Sequence, residues 1–178
     1  MVRKVVPIFV LLLSTSILFA QAEKKPLPSP RGQTSVTFAD GKKVTVDYGR
    51  PYMRGRKIMG ELVPYGKVWR TGANEATSLV TEAPITISGT AVPAGSYTMY
   101  TLPGENEWKI IVNKQTGQWG TVYNESQDFA RIIAKPAKVP NSVDQFTISL
   151  EKQGPKAALM KLEWENTSVA VDIAEGSK

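Results

Sequence analysis

The chain has 178 residues, of which 42% are hydrophobic and 21% are charged. This length and composition are typical of one folded domain and exclude a largely disordered, collagen-like or coiled-coil chain. The sequence contains no cysteine and no histidine, which excludes disulfides, thiol chemistry, His-dependent catalytic triads and metal sites built on His or Cys.

The first 22 residues have the pattern of a secretory signal peptide. Arg3 and Lys4 precede an uncharged run over 5–20, and Ala20-Gln21-Ala22 provides a small-x-small cleavage site. The uncharged run is shorter than the roughly 18 residues of a spanning helix. We therefore predict Sec export and cleavage after Ala22, no membrane span after cleavage, and a mature protein of net charge +4 in the periplasm or outside the cell.

The mature chain divides into a short lead-in and one domain. Residues 23–33 contain three prolines and no apolar period, which predicts an extended lead-in. Residues 34–178 are predicted to form a single domain.

Alternation of apolar and polar residues dominates this domain and predicts short strands. It begins with a hairpin whose turn is Asp40-Gly41. Two further alternating runs flank Glu165-Asn166 and predict a C-terminal hairpin with its turn at that pair. Eight to ten such strands predict an all-β, antiparallel β-sandwich, with a jelly-roll-like or barrel-like arrangement as the alternative.

One segment, Gly49 to Ala76, breaks this rhythm and is predicted to be a long irregular insertion rich in Gly and Arg. Residues 50–70 contain six basic residues and one acidic residue, a net charge of +5. Arginine suits the capture of carboxylate or phosphate groups. The alternative is that these are solvated loop charges, or that Arg50 and Arg70 form structural ion pairs with acids such as Glu75.

The string Val68 to Thr77, at the end of the insertion and the residue after it, combines an aromatic, a guanidinium, an amide and a carboxylate. This composition is typical of a small-ligand site. The alternative is that Trp69 is a core residue and that Asn74 forms a turn. Trp119 lies between glycines and is a candidate rim aromatic, whereas Asp128 and Arg131 are predicted to form an ion pair. The candidate binding residues are Arg50, Arg54, Arg56, Trp69, Arg70, Asn74, Glu75 and Trp119.

The same residues carry a resemblance to a bacterial family. Gly49-Arg50-Pro51, Arg54-Gly55-Arg56, Gly60-Glu61-Leu62-Val63-Pro64-Tyr65-Gly66 and Trp69-Arg70-Thr71-Gly72-Ala73-Asn74-Glu75-Ala76-Thr77 resemble the family called domain of unknown function 2911. The resemblance covers about residues 33–150 and implies an exported, β-rich bacterial protein; it implies no activity and no cofactor.

Three functions remain open from the sequence. The first is a non-catalytic binding domain that holds an anionic or polyhydroxylated small ligand or glycan through Arg50–Glu75. The second is a glycosidase-like hydrolase that uses Glu75 with Glu61, Glu125 or Asp128 as a carboxylate pair. The third is a cell-envelope module that binds a partner protein. We expect no cofactor, no metal site and no nucleic-acid partner.

Overall fold

The structure, a computed structural model, describes residues 29–176. The predicted signal peptide and most of the predicted lead-in lie outside the described residues. The ten strands in the described part are β1 (Arg31–Thr37), β2 (Lys43–Gly49), β3 (Thr77–Thr81), β4 (Ile85–Ile87), β5 (Thr90–Val92), β6 (Gly95–Leu102), β7 (Trp108–Asn113), β8 (Asp128–Ala134), β9 (Pro136–Gly154) and β10 (Ala157–Glu175). A 3-10 turn covers Glu125–Gln127.

These strands form two antiparallel sheets that pack face to face. One sheet has the order β1-β2-β3-β6-β7-β8 and the other has the order β5-β4-β10-β9. The prediction of an all-β antiparallel sandwich is therefore confirmed, and the sheets do not close into a barrel.

The core lies between the sheets and is formed by the alternating apolar positions. Val44, Val46 and Tyr48 of β2 are buried against Phe146 and Ile148 of β9. Tyr48 also links the sheets by hydrogen bonding, because its hydroxyl donates to the Ile148 carbonyl at 3.1 Å and accepts from the Ile148 N–H at 2.7 Å.

The N-terminal hairpin has the predicted turn. Gly41 adopts a φ of 85°, a left-handed conformation that glycine tolerates without strain. The first strand begins at Arg31, so ordered β structure already includes the last residues assigned to the lead-in.

The predicted C-terminal hairpin at Glu165-Asn166 is wrong. β10 runs without a turn from Ala157 to Glu175, and the hairpin turn lies earlier, between β9 and β10. Glu165 has a φ of 54°, and the register against β9 shifts on both sides of it. The polar pair is therefore a β-bulge, which bends a strand without ending it.

The long irregular insertion is confirmed, since β2 ends at Gly49 and β3 begins at Thr77. Its middle is fastened to the second sheet by the Glu165 carboxylate, which accepts from the backbone N–H groups of Ile58 and Met59 at 3.4 and 3.1 Å. Its end packs on Gly49, where a side-chain Cβ would overlap the Ala73 carbonyl oxygen.

A second loop, residues 114–127, covers part of the outer face of the six-stranded sheet. Tyr123 packs edge-on against Tyr100 with ring centroids 4.9 Å apart, and the Tyr100 hydroxyl donates to the Val122 carbonyl at 2.8 Å. A small apolar cluster forms beneath this loop. In the described part of the chain, no helix has the length and hydropathy needed to cross a membrane.

Candidate functional site

A pocket of about 380 Å³ lies between the insertion and the core. We call it the Trp69 pocket; its lining residues are Ser29, Pro51, Arg56, Leu62, Val63, Pro64, Lys67, Val68, Trp69, Arg70, Gly72, Ala73, Asn74 and Trp164. Its volume falls in the range of roughly 300–1,000 Å³ that small-molecule sites occupy. Four predicted binding residues meet here: Arg56, Trp69, Arg70 and Asn74.

Trp69 belongs both to the core and to this pocket. Its ring stacks on Trp164 at a centroid distance of 5.8 Å and packs against Phe146 at 4.9 Å. Its backbone pairs with Thr101 through two hydrogen bonds of 2.7 and 2.9 Å. The sequence allows Trp69 to be either a core residue or a pocket residue, and in the structure it is both. Core contacts fix the ring, and the ring forms one wall of the pocket.

The charged groups of the Trp69 pocket all have one sign. Arg56, Lys67 and Arg70 line it, and no aspartate or glutamate does so among the described residues. Three cations around one half-open pocket create a positive potential that attracts an anion.

The arginines of the pocket retain free hydrogen-bond donors. Arg70 donates from Nε to the Gly72 carbonyl at 3.3 Å, and Arg56 donates from Nε and one Nη to the Met53 and Tyr52 carbonyls, both at 2.9 Å. Within residues 29–176, the second Nη of Arg56 and both Nη atoms of Arg70 make no hydrogen bond. These donors are available to a ligand.

The turn that carries Arg70 is held tightly from both sides. Thr71 is fully buried, its hydroxyl lies 3.1 Å from that of Thr101, and its carbonyl accepts from Thr77 Oγ1 at 2.7 Å. Asn74 has a φ of 65° and donates from Nδ2 to the Ser29 carbonyl at 3.1 Å. Asn74 is therefore the turn residue that the sequence allowed, and it also lines the pocket.

Arg50 and Arg54 do not line the Trp69 pocket. The Arg50 guanidinium donates to the Phe146 carbonyl and to Thr147 Oγ1, at 3.4 and 3.1 Å, so it joins the two sheets. Arg54 is exposed and has a φ of 52°. The ion pair of Arg50 or Arg70 with Glu75 does not form, because Glu75 pairs with Arg31.

Glu75 and Trp119 lie at a different place, on the outer face of the six-stranded sheet. Their backbones form an isolated antiparallel bridge, and Trp119 is 52% exposed. The adjacent groove has a volume of about 350 Å³. We call it the Glu75 groove; it is lined by Arg31, Glu75, Ala76, Ser78, Tyr97, Thr98, Thr116, Gly117 and Gln118.

Arg70 also borders a third, smaller pocket of about 260 Å³. Trp69 and Val68 line it from one side, and Tyr100, Gly120 and Tyr123 line it from the other. The Arg70 side chain thus forms a shared wall between this pocket and the Trp69 pocket.

The model of the family described as "Protein of unknown function (DUF2911)" matches residues 29–173. This chain belongs to the DUF2911 family. Comparison with curated proteins and with solved structures found no significant match. The resemblance inferred from the Trp69–Thr77 string is confirmed, and it extends over nearly the whole sandwich.

The loop at the outer face of this DUF2911 domain is anchored by a polar network. Asp128 accepts from the Tyr123 hydroxyl at 2.6 Å, from Arg131 Nε at 2.8 Å and from Asn113 Nδ2 at 2.7 Å. Burial, followed by the hydrogen bond to Asp128, raises the pKa of Tyr123 to about 12. The predicted ion pair of Asp128 with Arg131 is confirmed, and it serves to fix residues 114–127.

The carboxylates proposed to pair with Glu75 have other partners in this structure. Glu61 pairs with Lys57, and Glu125 and Asp128 both pair with Arg131. The carboxylate connected to Glu75 is Asp47, since Arg31 binds both groups. Among residues 29–176, no group of three or more acidic residues is placed to hold a metal ion.

Three contributors to these sites of the DUF2911 domain are not predicted by the sequence pattern. Lys67 was counted in the charge of the insertion but was not assigned to the pocket. Trp164 belongs to a strand 95 residues downstream of Trp69, so only the packing of the sheets brings the two indoles together. Arg31 lies in the predicted lead-in, but in the structure it belongs to β1 and pairs with Glu75.

Proposed function

We propose that this DUF2911 domain is a non-catalytic binding protein whose Trp69 pocket holds a small anion with an apolar or aromatic body. The observation that carries the proposal is the lining itself: three cations and no acid, in the described residues, around a wall formed by an indole.

The charged part of the ligand is recognised by Arg70, Arg56 and Lys67. Charge-assisted hydrogen bonds from guanidinium groups to carboxylate or phosphate are stronger than neutral ones. Arg70 is the principal contact, because both of its Nη atoms lack partners within the described chain while its Nε is fixed on the Gly72 carbonyl.

The uncharged part of the ligand lies against apolar side chains. Leu62, Val63 and Pro64 line the pocket beside the two indoles. Burial of ring or alkyl surface there adds affinity that a bare inorganic anion does not gain. An aryl phosphate or aryl carboxylate therefore suits the pocket better than free phosphate or sulfate.

Export places this binding site outside the cytoplasm. The basic, apolar and small-residue regions of residues 1–22 support cleavage after Ala22 and a location in the periplasm or outside the cell. Mass spectrometry of the protein recovered from its producing cell tests this, since the mature chain is expected to begin at Glu23.

A thermal-shift screen of the mature protein tests the binding proposal. The probes are phenyl phosphate, benzoate, inorganic phosphate, sulfate and glucose. A ligand at 100 times its Kd stabilises the fold by about 2.7 kcal/mol, which raises the Tm by several degrees. We expect the largest shift with phenyl phosphate or benzoate, and we expect Arg70→Met to leave any shift with glucose unchanged.

Two variants locate the binding site. Arg70→Met removes the principal contact and is expected to abolish the shift produced by the aryl anions. Arg54→Met changes the net charge by the same amount outside the pocket and is expected to retain it. An equal loss in both variants would mean that the anions respond to the overall charge, and the proposal would then be wrong.

A further inference from the structure

We propose that the Glu75 groove, together with Trp119, is a second binding site that accepts a neutral polyhydroxylated ligand, a saccharide. It is separate from the Trp69 pocket, and the proposal does not rest on anion binding there. Its ligand class follows from the polar groups and paired charges of the groove and from the exposed indole beside it.

The groove lies along a row of polar side chains on the outer face of the six-stranded sheet, of which Ser78 and Thr98 line it. Asp47 of β2 pairs with Ser78 of β3, and Ser78 pairs with Thr98 of β6. Residues that are directly opposite in adjacent strands project on the same side of a sheet. One carboxylate and two hydroxyls therefore lie side by side across three strands.

One guanidinium and two carboxylates form a charged cluster at one end of this row. Arg31 binds both Asp47 and Glu75, and Arg31 and Glu75 are the charged residues that line the groove among residues 29–176. A guanidinium beside a carboxylate presents donors next to acceptors. Vicinal hydroxyls of a sugar use both, because each hydroxyl donates one hydrogen bond and accepts others.

Trp119 supplies an apolar surface next to these polar groups. It is the tryptophan with the greatest exposure, since Trp108 and Trp164 are buried and Trp69 packs against the core. Its bridge with Glu75 directs the two side chains to the same side of the backbone ribbon. An exposed indole beside wet polar groups suits the apolar face of a sugar ring.

The segment that carries Trp119 is fixed before any ligand binds. Gln118 donates from Nε2 to Thr98 Oγ1 at 3.1 Å and to the Tyr100 hydroxyl at 3.0 Å. The Gly120 N–H donates to the Asn74 carbonyl at 3.0 Å, and the Ala76 N–H donates to the Gln118 carbonyl at 3.3 Å. A rigid platform loses little conformational entropy on binding.

The charge of the lining separates the two sites. The Trp69 pocket is lined by three cations, whereas the Glu75 groove is lined by one cation and one anion. Anions are therefore drawn to the first site, and the second site offers them no net attraction. The sequence assigns anionic and polyhydroxylated ligands to one segment. The structure offers two separate sites, and we assign anions to the Trp69 pocket and neutral sugars to the Glu75 groove.

Calorimetric titration of the mature protein with cellobiose, maltose and N,N′-diacetylchitobiose tests the proposal. We expect at least one of these neutral sugars to bind and to protect a tryptophan from acrylamide quenching. Trp119→Ala is expected to weaken binding about tenfold or more, a change equal to about 1.4 kcal/mol. Glu75→Gln is expected to weaken it as well, because the carboxylate accepts from sugar hydroxyls.

Two control variants are expected to bind the sugar as the wild type does. Tyr65→Ala removes an exposed aromatic elsewhere on the surface, and Arg70→Met removes the principal cation of the Trp69 pocket. Thermal melts check that all four variants fold. Binding of no sugar in the set, or binding that survives both Trp119→Ala and Glu75→Gln, would overturn the proposal, as would a loss caused by Arg70→Met alone.

Discussion

Gly120 lies directly beneath the side chain of Arg70. A Cβ atom at residue 120 would overlap Arg70 Cδ and would lie 2.6 Å from the carbonyl oxygen of Asn74. The loop over the outer face and the end of the insertion therefore touch through a residue that has no side chain. This contact supports the stem of Arg70 and thereby sets the position of its guanidinium.

Gly120→Ala is expected to displace Arg70 and to weaken anion binding in the Trp69 pocket. The added methyl group requires both the Arg70 stem and the Asn74 backbone to move, at a cost of about 1–3 kcal/mol in the free energy of unfolding. Calorimetry with phenyl phosphate and urea denaturation measure the two effects.

Gly154→Ala is the matched control for this substitution. A Cβ atom at residue 154 would meet no heavy atom within 4 Å, so neither affinity nor stability should change appreciably. Equal behaviour of the two alanine variants would refute the supporting role of Gly120.

Tyr48→Phe is expected to destabilise the sandwich by about 1–3 kcal/mol. The Tyr48 side chain is 2% exposed, and its hydroxyl makes two hydrogen bonds to the Ile148 backbone in the opposite sheet. Urea denaturation should show a lower midpoint with an unchanged slope. Tyr65→Phe, at an exposed site, should change stability by less than about 0.5 kcal/mol.

Asp128→Ala is expected to destabilise the protein by about 2–3 kcal/mol and to loosen residues 114–127. The substitution removes an acceptor from Tyr123 and Arg131 and from Asn113, which is fully buried. Acrylamide should then quench Trp119 more efficiently. Glu125→Gln, at a side chain that is 73% exposed, should leave both measurements near the wild-type values.

The hydroxyl of Tyr123 gives the fold a defined dependence on alkaline pH. Its pKa is raised from 10.0 to about 12 by burial and by the hydrogen bond to Asp128, so the folded state holds this proton more tightly than the unfolded state. The resulting stabilisation is fully present below pH 10 and is lost as the pH rises to about 12.

Comparison of wild type with Tyr123→Phe checks this sign. The stability difference between the two proteins should stay constant from pH 7 to about pH 10 and should shrink above it, since phenylalanine has no proton to lose. A difference that stays constant to pH 12, or grows, would contradict the assignment.

The sequence predicts the sandwich well because most of its core strands alternate cleanly. Val44, Val46 and Tyr48 are apolar at every second position, and all three are buried. The insertion is predicted correctly because residues 50–76 show no sustained alternation of apolar and polar residues, which is the pattern that indicates a strand. The same pattern gives a wrong turn at Glu165-Asn166. A polar pair within a long strand has the composition of a turn, but in the structure it forms a bulge.

The candidate site was predicted only in part, because side-chain direction depends on distant residues. Arg50 and Arg56 both lie in the basic insertion, and the sequence does not distinguish them. In the structure Arg50 donates a hydrogen bond to Thr147, whereas Arg56 lines the pocket. Glu75 was grouped with Arg70, but Arg31 from the first strand captures its carboxylate. Such choices are made by strand register and sheet packing, which a local pattern does not contain.

We propose that Arg70 binds the charged group of an anionic ligand in the Trp69 pocket. The most direct measurement is the Kd of phenyl phosphate, determined by calorimetry for the wild type, Arg70→Met and Arg54→Met. Loss of a hydrogen bond to a charged group costs about 1.5–3 kcal/mol, so Arg70→Met should bind about 10- to 150-fold more weakly. Arg54→Met should match the wild type, and equal affinities in all three proteins would show that Arg70 does not bind the anion.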